Sequence, residues 1–130
     1  MKALTLLQPW AWLIIHGPKR WENRTWTTTH RGLLVIHAGQ SHDRLAAAYA
    51  DPRLSAILPD QSELIFSAAI GVVELSRIEP VSKVAVEPFA EGPWCWRLDN
   101  PRPLVEPVPM EGRRRLWDVL EGIIPLPKTL

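Results

Sequence analysis

A chain of 130 residues has the size of a single domain. Its 46% hydrophobic and 22% charged residues match a soluble globular protein and exclude a disordered chain or a coiled coil. The net charge of +1 and the single cysteine, Cys95, leave no internal disulfide and no Cys-x-x-Cys metal or redox motif.

No window approaches the ~20 consecutive apolar residues of a membrane helix. The start of the chain carries one charge and a short apolar run broken at Gln8-Pro9, too brief for a signal peptide, so a cytoplasmic location is expected. Residues 3–6 read as a short strand. Gln8-Pro9-Trp10 opens a helix, because the missing proline N–H costs nothing in a first turn. Trp10, Leu13 and Ile14 recur at i, i+3 and i+4, while Trp12 and Ile15 make the other side apolar, so this helix is buried on most sides. Gly17-Pro18 ends it, read as a left-handed glycine cap followed by proline. Over residues 19–29, alternation sets Trp21, Asn23 and Thr25 on one face of a strand and Arg20, Glu22, Arg24 and Trp26 on the other, with one carboxylate between two guanidiniums.

Arg31-Gly32 turns into residues 33–38, a continuous apolar run typical of a central strand. Ser41 caps a helix over 43–50, and 54–58 adds a helical turn. Residues 64–75 give the longest strand signal, with Gly71 marking a bulge where a sheet curls toward closure. Residues 94–98 alternate with both indoles on one face, 102–107 form an edge strand blunted by prolines, and 112–119 read as a final helical turn. Strands outnumber helices. The predicted fold is α+β, a small, partly open β-barrel with helices packed at its ends, forming one domain over residues 1–130.

Charge is unevenly spread. Residues 1–37 hold Lys2, Lys19, Arg20, Arg24 and Arg31 against Glu22 alone, whereas residues 38–96 hold four basic against eight acidic side chains. A basic stretch carrying Trp21 and Trp26 is the composition that neutralises phosphates and stacks an exposed base, and a solvated strand face has the same composition. A pI near 8.0 argues against a general, tight nucleic-acid binder and favours a small pocket or short strand. Seven tryptophans against two phenylalanines and one tyrosine is more indole than core filling needs, since each buried indole N–H wants a partner. His30, His37 and His42 lack compact ligand spacing, so no metal site is predicted. His37 reads as a hydrogen-bonded core or pocket-rim imidazole, and Cys95 as a small buried hydrophobe. Arg113-Arg114-Arg115 either extends a basic surface toward the barrel or forms the exposed face of a last turn.

The pattern Gln8-Pro9-Trp10-Ala11, then Gly17-x-Lys19-x-x-Glu22-x-Arg24-x-Trp26, then Arg31-Gly32 before Ile36-His37-Ala38, resembles the ASCH domain of the PUA-like superfamily. Gly71-Val72-Val73-Glu74-Leu75 and Trp94-Cys95-Trp96-Arg97-Leu98 also fit. The resemblance implies a β-barrel whose cleft beside the first helix accepts RNA or a nucleotide-like ligand, with DNA as the alternative. The cleft would be made of Gln8, Pro9, Trp10, Lys19, Glu22, Arg24, Trp26, Arg31 and His37. No cofactor, membrane or obligate protein partner is implied. Some relatives are amidohydrolases that remove an acyl group from a modified cytidine with a lysine, a threonine and a glutamate. Lys19 matches that lysine, Glu22 stands where the threonine would be, and Glu87 and Glu91, the nearest in order to the glutamate, sit in no motif. Other relatives are thought to be nucleases. Two main readings therefore stand, a binding module and a small hydrolase acting on RNA or acylated cytidine, the second using Lys19 and Glu22 as acid and base if burial shifts their pKa values, with a protein-interaction adaptor using exposed Trp and Pro surface ranked third.

Overall fold

The apolar run at 33–38 does lie centrally in the computed structural model, which describes residues 1–120 and 122–127. Strand β3 (Gly32–Ala38) pairs in parallel with β1 (Lys2–Leu6) on one side and antiparallel with β4 (Ala68–Pro80) on the other. β4 pairs along its length with β5 (Trp94–Pro109), whose first residues also pair with β2 (Trp21–Arg24). The strands expected at 94–98 and 102–107 are thus one element. Its prolines, Pro101, Pro103, Pro107 and Pro109, stand in the part paired with β4 alone, where one edge of the strand is free and proline is tolerated.

Residues 112–119 hold no helical turn. Leu116–Asp118 form β6, antiparallel to β1, with Lys2 Nζ 3.0 Å from Asp118 Oδ1. Three residues are too few to show a period, and the open edge of β1 supplies the ladder that extends them. The sheet order is β2-β5-β4-β3-β1-β6. Its edge strands, of four and three residues, do not pair with each other among the described residues, so the sheet is a curled half-barrel and not a closed barrel. Register shifts in the β3–β4 and β4–β5 ladders provide the curl, including one beside Gly71.

Helix α1 (Trp10–Ile15) covers one face of this sheet, where Ala11, Ile14 and Ile15 pack with Leu4, Leu34, Ile36, Leu75, Trp96 and Leu98. Ala3, Val35 and Val72, of opposite parity to Leu4, Leu34, Ile36 and Leu75 on their strands, form a second cluster on the other face, which Leu104 joins beyond the register shifts of β5. Gly71 lets α1 approach: a Cβ there would lie 2.6 Å from Ile15 Cδ1 and 2.8 Å from the Arg102 carbonyl oxygen. A side chain can rotate away but a carbonyl cannot, so Gly71→Ala is expected to lower stability by about 2 kcal/mol. The check is a reduced denaturation midpoint at unchanged slope; an unaltered midpoint would contradict the close approach.

Gly17 is not the left-handed cap that was expected, since the positive-φ glycines are Gly32, Gly92 and Gly122. It is needed for space: a Cβ would meet the Leu13 carbonyl oxygen at 2.9 Å. Of three further short helices, α2 (Leu45–Ala50) and α3 (Pro52–Ser55) pack Ala48 and Leu54 against Leu13 of α1, and α4 (Val81–Val84) lies against β4 and β5. No described helix is long and apolar enough to cross a membrane.

Candidate functional site

The end of α1 and the start of β2 enclose a lysine. The Lys19 amide donates to the Leu13 carbonyl, folding residues 17–19 back on the helix, and the side chain is only 4% exposed. Its Nζ donates to the Trp21 carbonyl and lies 3.4 Å from Glu22 Oε1, while Glu22 Oε2 is 2.9 Å from Arg24 Nη2. The same Nη2 donates to the Thr5 carbonyl at 2.8 Å. The carboxylate therefore sits between Lys19 and Arg24, not between two guanidiniums. Arg20 precedes β2, so the strand alternation does not reach it; it donates to the Ile14 and Gly17 carbonyls at the end of α1, where a cation satisfies exposed acceptors. Burial pushes the Lys19 ammonium below the usual lysine range, with Glu22 and Glu91 drawing it partly back up.

A cleft of about 730 Å³ opens above this pair, with Lys19 and Glu22 on its polar side and Trp10, Leu54 and Phe89 as apolar walls. Lys19 Nζ stands 5.4 Å from the centre of the Phe89 ring. The loop carrying Phe89 and Glu91 is tied down by Asn23, whose Oδ1 accepts from the Glu91 and Gly92 amides at 2.8 Å and whose Nδ2 donates to the Phe89 carbonyl at 2.9 Å. Arg44 and Arg53 stand at the cleft, Arg53 paired with Asp51 at 3.0 Å. Charge is balanced, with Lys19, Arg44 and Arg53 facing Glu22, Asp51 and Glu91. Among the described residues, none lining the cleft carries a hydroxyl or thiol.

Of the residues singled out in the sequence, Trp10, Lys19 and Glu22 share this cleft, with Arg24 bonded behind Glu22. The others are placed elsewhere. Gln8 is buried and serves α1: its Oε1 accepts from the Trp12 amide at 2.9 Å and its Nε2 donates to the Ile65 carbonyl at 2.8 Å. Pro9 is the buried residue preceding the first helical position. Arg31 is exposed and donates to the Thr28 and His30 carbonyls of its own turn. Trp26 lies edge-on to Trp96 at 4.8 Å and is covered by the Arg115 guanidinium at 5.0 Å.

His37 lines a second cavity of about 820 Å³ on the far side of Thr5. Its Nε2 lies 2.7 Å from the Met110 carbonyl and so donates to it, which leaves Nδ1 to accept from the Thr5 hydroxyl at 3.1 Å. Sequence reasoning missed Arg44, Arg53, Phe89 and the clamping role of Asn23. No local pattern marks them, because α2, α3 and the 88–91 loop reach the cleft only through tertiary folding.

A curled mixed sheet with short helices, opening on a cleft beside its first helix, defines a fold of the ASCH/PUA-like type. The same fold occurs in the crystal structure of a point variant of ZmASCH from Zymomonas mobilis, at a TM-score of 0.58 over 94% of this chain and 91% of that one, with 13% identity. The ASCH domain model matches residues 4–93. The sequence is 31% identical to activating signal cointegrator 1 of Homo sapiens and 30% identical to that of Mus musculus, across 88% of this chain and 22% of each relative. The chain belongs to the ASCH domain family. It spans about a fifth of the length of these cointegrators.

Proposed function

We propose that the chain binds a nucleoside unit of RNA in the cleft, with Glu22 accepting hydrogen bonds from the base edge and Trp10 stacking the ring. The observation that carries this reading is the fixed, nearly buried carboxylate with capacity to spare. An ionised carboxylate has about four acceptor positions, of which Lys19 and Arg24 occupy one each. Such a group suits an amino-bearing base such as cytosine and repels a bare phosphate. Stacking on an indole contributes about 1–3 kcal/mol. Balanced charge and a volume within the usual small-ligand range fit a nucleoside better than a lone polyanion, and membership of the ASCH family supports a nucleic-acid-related ligand.

Calorimetric titration of the wild type and Glu22→Gln with cytidine and uridine tests the reading. Cytidine is expected to bind about tenfold tighter than uridine, a difference of about 1.4 kcal/mol, and Glu22→Gln to lose the preference. Equal affinities in the wild type would overturn it.

One observation favours a second reading, hydrolysis. Burial lowers the Lys19 pKa beside a carboxylate 3.4 Å away, an arrangement suited to proton transfer. With no hydroxyl or thiol on the described cleft walls, water would be the nucleophile. Short RNAs and acylated cytidine incubated with the wild type, Lys19→Ala and Glu22→Ala distinguish the two. Turnover lost in both folded variants supports the enzyme, and ligand retained without product supports the binding module.

A further inference from the structure

We infer that the second cavity holds the phosphate-bearing continuation of the strand whose base occupies the cleft, gripped by Arg113 and Arg114. The inference rests on the nucleoside reading of the cleft for what lies next door, but its own basis is separate.

The segment after β5 is a built strap. Met110 is tied to β3 through the His37 imidazole, and a Cβ at Gly112 would lie 2.8 Å from Thr5 Oγ1 and 3.0 Å from His37 Cε1. Pinned at those two points, the chain projects Arg113 and Arg114 at the cavity, then turns at Arg115, φ 54°, to lay that guanidinium on Trp26. Arg113 and Arg114 are exposed and have no acidic partner within salt-bridge distance among the described residues. Glu111 is the one carboxylate on the described walls, so the cavity has surplus positive charge where the cleft has none. Ser41 and Ser67 add hydroxyls, and Ser67 is held at φ 55°, a conformation uncommon outside glycine that marks sites fixed by their surroundings.

One guanidinium links a wall residue of the cleft to a wall residue of the second cavity. Arg24 Nη2 is 2.9 Å from Glu22, which lines the cleft, and 2.8 Å from the carbonyl of Thr5, which lines the second cavity. Two guanidiniums without acidic partners on one wall suit a phosphodiester chain, whose affinity comes from neutralised phosphates, while the cleft selects the base.

The test is binding of cytidine and of a cytidine-rich RNA hexanucleotide to the wild type and to Arg113→Ala/Arg114→Ala over a range of salt. The double variant is expected to keep its melting temperature and its cytidine affinity. Its hexanucleotide affinity should fall about tenfold or more at low salt, and the slope of log affinity against log salt by about 1.4, two phosphates at about 0.7 each. Unchanged hexanucleotide affinity and slope would overturn the inference and leave the cleft reading intact. Hexanucleotide binding that needs Arg113 and Arg114 when cytidine fails to bind would uphold the second cavity and overturn the cleft reading. If the wild type binds neither ligand at any salt, both fall.

Discussion

Glu22→Leu is expected to destabilise the protein by about 3 kcal/mol at neutral pH, and Lys19→Met/Glu22→Leu to recover most of that loss. Removing the carboxylate leaves the ammonium of a buried lysine with the Trp21 carbonyl as its remaining hydrogen-bond partner. Replacing both groups removes the unpaired charge and fills the same volume with apolar atoms, and Arg24 still has the Thr5 carbonyl. Denaturation midpoints of the wild type, both single variants and the double form the cycle. A double variant as unstable as Glu22→Leu would show that the pair is not the unit described.

The pH dependence follows from the same geometry. The folded-state pKa of Lys19 is lowered while the unfolded chain keeps the usual value, so between the two the unfolded state holds more protons. Stability from this group therefore rises with pH across that window and is lost as pH falls through the lowered value. Glu22 holds the folded-state value up; without it the value drops further. The gap in stability between the wild type and Glu22→Leu should narrow from about pH 7 to about pH 10, and a gap that widens would contradict the assignment.

Trp96→Ala is expected to lose about 4 kcal/mol, and Trp94→Ala less than about 1 kcal/mol. The two indoles lie two residues apart on β5 and alternate alike, yet Trp96 is 0% exposed and Trp94 36%. Trp96 packs in the cluster under α1, meets Trp26 edge-on, and donates its Nε1 hydrogen to the Trp26 carbonyl at 3.2 Å. Trp94 pairs with Arg24 and Pro80 at the end of the sheet, beyond the cover of α1. Trp96→Phe keeps most of the ring but loses the donor, and should fall between, at about 1–2 kcal/mol. Equal losses at positions 94 and 96 would contradict the burial difference.

The parts of this molecule that a linear reading reaches are those whose signals are local. The apolar run of β3 and the periodicity of α1 are visible because each element satisfies its own burial pattern. Gln8, Lys19 and His37, the buried polar side chains among the described residues, stand out by residue type within a fixed-spacing motif. What stays hidden depends on distant partners. β6 is a strand because β1 offers it an edge. Arg20 leaves the expected face because the backbone becomes a strand only at Trp21, and the end of α1 supplies better acceptors. Asn23 looks like one more alternating position until the loop at 89–92 folds onto its amide. His37 and Lys19 look like partners in one hollow, but Thr5 and Arg24 stand between two cavities.

The most direct measurement of the central claim is a crystal structure of the protein with cytidine. The base should lie against Trp10 with its amino nitrogen within hydrogen-bond distance of the Glu22 carboxylate. Cytidine seated away from Glu22, with the Lys19–Glu22–Arg24 chain undisturbed and the cleft empty, would contradict it.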